Sequence, residues 1–192
     1  MDTNYSFLNS FSNIDETTFS KLQKISTLIT LEAGKPLIKA GESPKKIYLL
    51  ISGMMRVYLS SEEGKEFNKK FFLPLSFVAS LTALITKETS RLTYETLTDC
   101  KLYELNFDAF MDLVNNDLSI SKLYIKALEN IFMEYEKRQL ELISMDATQR
   151  YLALKKEILD IDTLIPQYQI ASYLSITPVQ LSRIRKKINT IN

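Results

Sequence analysis

Short runs of apolar and β-branched residues, separated by glycines, make up much of the first half of the chain. The four glycines of the sequence, Gly34, Gly41, Gly53 and Gly64, all fall within this half. Glycine adopts the positive φ of tight connections without steric cost. The runs predict strands at residues 36–39, 46–51, 54–60, 66–72, 92–97 and 101–106. Because helical patterns are absent between most of these runs, we expect an antiparallel barrel or sandwich.

After residue 106 the apolar period becomes helical, which predicts a short helix near residues 107–114 and a longer one over 118–143. The longer stretch contains no Gly or Pro. Its apolar residues recur at heptad spacing, as Leu118, Ile125 and Phe132 with Leu128, Tyr135 and Leu142 beside them. A second stripe, Ile120, Tyr124, Ala127 and Ile131, widens the apolar face.

Two interpretations of this helix remain open. It lies wholly against its own barrel, or it gives one flank to the barrel and its heptad seam to a second copy of the chain. We favour the second interpretation, in which the dimer contacts are Ile125, Leu128, Phe132 and Tyr135.

Helix-start signals recur in the last third of the chain. Asp146 followed by Gln149 predicts a third helix that ends near residue 159, and residues 160–164 are expected to form a linker. Pro166 at a first helical position then opens a short amphipathic helix to Leu174. After an interruption at residues 175–177, Thr177 as the cap restarts a helix. Two helices joined by so short a turn are typical of a helix-turn-helix.

The second of these helices has the residue types that suit a major groove. We expect Val179, Leu181, Ile184 and Ile188 to hold it against its neighbours. The candidate DNA contacts are Thr177, Gln180, Ser182, Arg183, Lys186 and Lys187. Gln pairs with adenine edges, Arg bonds guanine in bidentate fashion, and Lys neutralises phosphates. A basic run is also explained by a solvated helix end, where cations complement the helix dipole; the tight turn and the two start signals favour DNA binding.

Composition narrows the function classes further. The formal net charge is +1, yet from residue 175 onward there are four basic and no acidic residues. The absence of His and the single cysteine, Cys100, argue against iron–sulfur clusters, most zinc sites and His-based catalysis, so we predict no metal, no cofactor and no enzyme activity. Cys100 is expected to be a small buried hydrophobe. No apolar run is long enough to span a bilayer and the N-terminus has no leader pattern, so a cytoplasmic protein is expected.

Several segments of the sequence resemble the Crp/Fnr superfamily of bacterial regulators. In the C-terminal segment the resemblance rests on residues 170–174, 176–178 and 181–187, a version common in Bacteroidetes. Residues 41–42, 47–53 and 63–66 are similar to the cyclic-nucleotide-binding β-roll. The resemblance implies a cupin-like roll, a long dimerisation helix and a DNA-binding domain that recognises a palindromic site.

The sequence departs from the family in its phosphate-binding cassette. Cyclic-nucleotide binders carry Gly-Glu-Leu and, later, Arg-Ser or Arg-Thr. Here Ser80 replaces the carboxylate, and Ser90-Arg91 reverses the order of the second pair, so that a one-residue slip in a strand would turn Arg91 to the opposite face. We therefore predict no binding of cyclic AMP. The candidate effector pocket comprises Val78, Ala79, Ser80, Leu81, Ser90 and Arg91.

The sequence as a whole predicts an α+β protein with three parts. These are an antiparallel β-roll sensor domain with flanking helices at residues 1–116, a long dimerisation helix at 117–143 and a helix-turn-helix domain without a full wing at 144–192. The favoured function is a homodimeric regulator that binds double-stranded DNA and senses an unidentified small molecule or none. The alternative is a small-molecule-binding module whose shortened C-terminal domain contacts protein. A cupin-like enzyme is disfavoured because such sites depend on His ligands.

Overall fold

The computed structural model describes residues 3–191. It divides into two compact units. The first comprises the described residues up to Val57 together with Phe71–Phe132. The second comprises Tyr58–Lys70 together with the described residues from Met133 onward. The predicted domain boundaries differ from this division in the placement of residues 58–70 and in treating residues 117–143 as a separate part, and they remain a prediction.

Two four-stranded sheets form the roll. Their strands are β1 (Ser26–Leu31), β2 (Pro36–Ile38), β3 (Lys46–Ser52), β4 (Met55–Ser60), β5 (Glu66–Phe72), β6 (Ser76–Val78), β7 (Thr93–Thr96) and β8 (Cys100–Asn106). One sheet has the order β1-β8-β3-β6 and the other β2-β7-β4-β5. The pairings of β8 with β1 and β3, of β3 with β6 and of β2 with β7 are all antiparallel. The predicted fold class, α+β with an antiparallel roll, is confirmed.

Strands β1 and β6 were not among the predicted strands. The sequence of strand β1 lacks the strict apolar alternation that identifies a half-buried strand. In the structure none of its residues is buried. Strand β6 is only three residues long. Its register against β3, with Val78 opposite Tyr48, arises from pairing with a distant segment that no local pattern reveals.

The interior of the roll is filled by side chains. Leu50, Val78 and Leu102 are completely buried, and Tyr94 and Phe72 stack at 6.1 Å between ring centroids. The other members of this core are Ile38, Tyr48, Met55, Val57 and Cys100. The predicted burial of Cys100 is confirmed: it is 2% exposed, and burial raises the pKa of its thiol.

Gly53 closes the connection between β3 and β4 with the predicted positive φ, here +91°. A Cβ at this position would lie 2.3 Å from the carbonyl oxygen of Asp99 and 2.6 Å from the Sγ of Cys100. At Gly64, by contrast, φ is +78° and a Cβ would meet no atom within 4 Å. Gly53 is therefore required both for its backbone conformation and for the close approach of the neighbouring strand.

Helices flank the roll. They are α1 (Thr3–Phe11), α2 (Glu16–Lys24), α3 (Leu81–Thr86) and α4 (Phe107–Asn116), followed by the long helix α5 (Leu118–Ser144). Asn106 caps α4 by accepting a hydrogen bond from the backbone N–H of Ala109. Ile120 and Leu123 of α5 are buried in a second apolar core with residues of α1, α2 and α4. The predicted long helix is confirmed, and its first turns bury one flank within the first unit.

The second unit contains α6 (Ala147–Glu157), α7 (Ile161–Leu164), α8 (Gln167–Tyr173) and α9 (Pro178–Ile191). The predicted capping box of α6 is confirmed, since Asp146 and Gln149 each bond the backbone of the other. The prediction of a linker at residues 160–164 is wrong in part, because residues 161–164 form the short helix α7. Ile161 is completely buried, which anchors this turn.

Candidate nucleic-acid interface and effector pocket

The turn between α8 and α9 is fixed by reciprocal hydrogen bonds. The backbone N–H of Gln180 donates to Thr177 Oγ1 at 3.2 Å, and the N–H of Thr177 donates to Gln180 Oε1 at 2.8 Å. The predicted cap at Thr177 is confirmed, and α9 begins at Pro178, the residue that follows it. Pro166 lies one position earlier than predicted, at the N-cap of α8, where an extended backbone suits proline.

A small apolar core holds the two helices together. Ile170, Ala171, Leu174 and Leu181 are completely buried. A polar bond across the turn adds to this, because Gln167 Nε2 donates to the carbonyl oxygen of Pro178 at 2.8 Å. The two helices are thus held together by apolar contact and by a hydrogen bond from a side chain to the backbone.

Helix α9 turns one face inward and the other to solvent. Leu181 is buried, and Ile184 and Ile188 are half-buried, as predicted. The prediction that Val179 helps to hold the helix against its neighbours is wrong, because its side chain is 60% exposed. The reason is the helical period, since Val179 lies about two positions, or roughly 200°, from Leu181 around the axis.

All six candidate DNA contacts are on the exposed side of this segment. The side chains of these residues are all exposed to solvent: Thr177, Gln180, Ser182, Arg183, Lys186 and Lys187. At helical spacing Ser182, Arg183 and Lys186 share a face with Val179, at positions i+3, i+4 and i+7. This face carries two cations, one hydroxyl group and one branched apolar side chain, and the neighbouring Lys187 adds a third cation.

Arg185 has a different role. Its guanidinium donates to the carboxylate of Asp162, and it lies 5.7 Å from the ring centroid of Tyr151. Tyr151 is 1% exposed, and its hydroxyl donates to Asp162 Oδ2 at 2.6 Å. Burial, reinforced by this hydrogen bond, raises the pKa of Tyr151 to about 12. Arg185 therefore joins α9 to α6 and α7, and its charge is compensated within the unit.

The hairpin at residues 58–70 contacts α8 within the second unit. Asn68 is 7% exposed, and its Nδ2 donates to the carbonyl oxygen of Gln169 at 3.0 Å. The backbone N–H of Asn68 donates to Ser172 Oγ at 2.9 Å, and that hydroxyl donates to the carbonyl oxygen of Glu66 at 2.9 Å. These three bonds form what we call the hairpin junction.

Arg138 of α5 supports the other end of α8. Its guanidinium carbon lies 4.0 Å from the ring centroid of Tyr173, and it donates to the carbonyl oxygen of the same residue. Glu141 accepts from Arg138 at 3.2 Å. Burial raises the pKa of Tyr173 to about 12, while the Arg138 charge opposes that shift.

The candidate effector pocket contains a closed hydroxyl pair. Ser80 and Ser90 are 6% and 1% exposed, and Ser80 Oγ donates to Ser90 Oγ at 2.9 Å. Ser90 Oγ donates in turn to the carbonyl oxygen of Leu92 at 2.7 Å. Both hydroxyls are thus satisfied inside the protein.

The remaining candidate pocket residues do not line one common site. Val78 is completely buried in the roll core, whereas Ala79 and Leu81 are half-buried at the start of α3. Ala79 offers its carbonyl oxygen to the hydroxyl of Tyr94 at 2.9 Å. Arg91 is exposed while its neighbour Ser90 is buried, so the two side chains do not come together.

A buried cation that sequence reasoning did not single out lies elsewhere in the roll. Arg56 of β4 is 4% exposed and donates to Glu95 Oε1 of β7 at 2.8 Å through a terminal nitrogen and at 3.0 Å through Nε. The signal was a lone charge inside the apolar run at residues 54–60. Because Glu95 supplies an opposite charge, this arginine contributes to an internal ion pair.

The heptad seam of α5 is largely exposed. Ile125, Phe132 and Tyr135 are 53%, 68% and 49% exposed, and Leu128 is half-buried. Further along the seam Leu142 is 40% exposed. Most of the apolar side chains at heptad spacing, with the exception of Leu128, are thus exposed to solvent in the single chain.

The part of the chain that the structure describes, residues 3–191, contains no group of three or more His, Cys, Asp or Glu residues arranged to hold a metal ion. No helix in this part of the chain has the length and apolarity needed to cross a membrane.

The chain is similar in sequence and in fold to known proteins. Residues 28–117 match the cyclic nucleotide-binding domain family. A structure from Eubacterium rectale, assigned to the crp/fnr family of transcriptional regulators, superposes with a TM-score of 0.74 at 13% identity, over 93% of this chain and 85% of that one. The c-di-GMP-responsive global regulator CLP of Xanthomonas campestris superposes with a TM-score of 0.72 at 16% identity, over 92% of both chains.

A curated relative is a much longer protein. Neuropathy target esterase sws of Drosophila mojavensis is 25% identical over 154 residues, which cover 77% of this chain and 10% of the esterase. The chain thus spans about a tenth of the length of the curated relatives it matches. The solved structures confirm the fold that the sequence resemblance implied.

Proposed function

We propose that this chain, which has a cyclic nucleotide-binding-type domain and the fold of the Crp/Fnr regulators, is a transcription regulator. It binds DNA in the cytoplasm as a homodimer on a palindromic site. The observation that carries the proposal is the outward face of α9. Arg183, Lys186 and Lys187 are exposed there, while Leu181 on the opposite side is completely buried.

The chemistry of this face suits a major groove. The N-terminal part of the second helix of a helix-turn-helix lies nearest the bases, so Gln180 and Arg183 are the best placed for base edges. Arg183 is suited to a guanine through two parallel hydrogen bonds. Gln180 uses its Oε1 in the capping box, which leaves its Nε2 as the donor toward an acceptor on a base. Lys186 and Lys187, one turn further on, suit phosphates.

Homodimerisation is supported by the seam of α5. Large apolar side chains at heptad positions that remain about half exposed or more are those that a second helix covers in a coiled coil. Ile120 and Leu123, on the flank that faces α1, α2 and α4, are already buried. A two-fold dimer would present two copies of α9 to the two halves of a palindrome.

The effector of this regulator is not a cyclic nucleotide in our proposal. Cyclic-nucleotide binders of the resembled family use a carboxylate and an arginine in the cassette. Here Ser80 and Ser90 bond to one another, and Arg91 is exposed beside them. The roll either senses a different small molecule or serves as a scaffold.

Selection from random double-stranded DNA with the purified full chain tests the proposal. We expect enrichment of a palindromic site, and Arg183→Ala should weaken binding to it by about tenfold or more, the range for one lost bidentate contact. Arg91→Ala is the matched control, because it removes an exposed arginine outside the helix-turn-helix. If no motif is enriched, or if the two variants bind alike, the regulator proposal is wrong and the protein-contacting alternative becomes the better one.

A further inference from the structure

The first turn of α9 carries an apolar side chain that is exposed to solvent. Val179 is 60% exposed, although Leu181, two residues later, is completely buried. Burial therefore does not account for a valine at this position. Helix stability does not account for it either, since valine has a lower helix propensity than alanine or the longer unbranched residues.

Val179 lies on the same helical face as the proposed base contact. Arg183 follows it at i+4 and Ser182 at i+3, so the three side chains are neighbours on the surface of α9. Because Val179 is in the first turn, it is closer than Arg183 to the end of the helix that enters a major groove in a helix-turn-helix.

The major groove presents one apolar group to such a side chain. Guanine, adenine and cytosine show hydrogen-bond donors and acceptors along this edge, whereas thymine adds its C5 methyl group. Contact between a branched aliphatic side chain and that methyl removes apolar surface of both from water. A polar edge in the same place would be desolvated without gaining a hydrogen bond.

We infer that Val179 is a specificity-determining residue that reads the methyl group of a thymine. That thymine lies close to the guanine read by Arg183 in each half-site. The inference rests on the proposed function, since it needs α9 to occupy a major groove. It adds a predicted base identity that the cationic residues do not supply.

Replacement of thymine by deoxyuridine isolates the methyl group. This substitution keeps the hydrogen-bonding edge of the base and removes only the C5 methyl. In a palindrome selected with the full chain, each thymine pair is replaced in turn and the dissociation constants are measured by fluorescence anisotropy at one fixed salt concentration. We expect one replacement to weaken wild-type binding by about fourfold for each half-site, the factor for burial of a single methyl-sized group.

Val179→Ala should show a smaller preference for thymine over deoxyuridine, because its single methyl group covers less of the thymine methyl than the branched valine side chain does. Val179→Ile should retain the preference for thymine. Ile85→Ala is the matched control, since Ile85 is also an exposed aliphatic residue, at 58%, but lies on α3. It should retain the full thymine preference.

The outcomes separate this inference from the proposed function. Specific DNA binding in which wild type tolerates deoxyuridine at every position would overturn the role of Val179 and leave the regulator proposal intact. An unchanged thymine preference in Val179→Ala would do the same. Failure of the chain to select any DNA would overturn both.

Discussion

The backbone N–H of Asn68 donates a hydrogen bond to Ser172 Oγ at 2.9 Å, although the two residues are 104 positions apart in the sequence. Asn68 lies on β5, a strand that continues to Phe72 of the roll, and Ser172 lies on the first helix of the helix-turn-helix. The hairpin junction therefore gives α8 partners from outside the helical segment.

Asn68→Ala should loosen α8. The carbonyl oxygen of Gln169 would lose its bond from Asn68 Nδ2, and a hydrogen bond of this kind contributes about 0.5–1.5 kcal/mol to stability. We expect faster amide hydrogen exchange in α8 together with a lower urea midpoint. Glu63→Ala is the control, since Glu63 is exposed on the same hairpin. Equal exchange rates in the two variants would show that the junction contributes nothing to the stability of α8.

The ion-paired cluster around Asp162 predicts a pH dependence. Burial raises the pKa of Tyr151 to about 12, whereas a tyrosine in an unfolded chain titrates near 10. The unfolded state thus loses this proton first, so the stabilising contribution is complete below about pH 10 and is lost as the pH rises toward 12. Tyr48 and Tyr173, also raised to about 12, act in the same direction.

Tyr151→Phe should reduce the slope of this alkaline loss, as measured by urea unfolding at a series of pH values between about 9 and 12. At neutral pH the variant should be less stable by about 1 kcal/mol, because the hydrogen bond to Asp162 is removed. A slope identical to that of wild type would contradict a role for this phenol.

Phe132→Glu should abolish dimerisation. The substitution places a charge in the seam, where a second helix would have to desolvate it. Sedimentation velocity should give the mass of a dimer for wild type and of a monomer for the variant. Lys137→Glu is the control, because Lys137 lies on the same helix away from the seam and its side chain is 70% exposed. A monomeric wild type would show that the seam has no second copy of the chain as its partner.

Cyclic AMP should not stabilise the protein. A ligand present at 100 times its dissociation constant raises the free energy of unfolding by about 2.7 kcal/mol, so specific binding gives a clear thermal shift. We expect no shift at millimolar cyclic AMP. A shift in wild type that disappears in Arg91→Ala would contradict our interpretation of the cassette.

Gly53→Ala should be far more damaging than Gly64→Ala. Both glycines have positive φ, which costs an alanine about 1–2 kcal/mol. Only at Gly53 would the new Cβ also meet the carbonyl oxygen of Asp99 and the Sγ of Cys100 at less than 3 Å. Urea midpoints of the two variants should therefore differ clearly, and similar midpoints would show that the strand can move away without cost.

The features that sequence predicted best are those whose cause is local. The capping boxes at Asp146 and Thr177 each involve residues three positions apart, and both were readable from residue type alone. The seven-residue spacing of α5 and the glycine at position 53 are local signals of the same kind.

What escaped prediction depends on residues far apart in sequence. The hairpin junction joins Asn68 to Gln169, and the pair formed by Arg56 and Glu95 spans 39 positions. Val179 was misjudged for another reason: apolar character was taken to mean burial, whereas the helical period turns this residue to solvent. Its exposure is what made it a candidate for base recognition.

The burial of the lone thiol has a practical consequence. Cys100 is the single cysteine of the chain and lies beneath Gly53 in the roll. A thiol-reactive label couples with the thiolate, and in the folded roll burial both shields the sulfur of Cys100 and raises the pKa of its thiol, so labelling requires that part of the roll to open. The rate of labelling therefore measures how often this part of the roll opens. A candidate effector that stabilises the roll would lower that rate, and no probe has to be introduced to detect it.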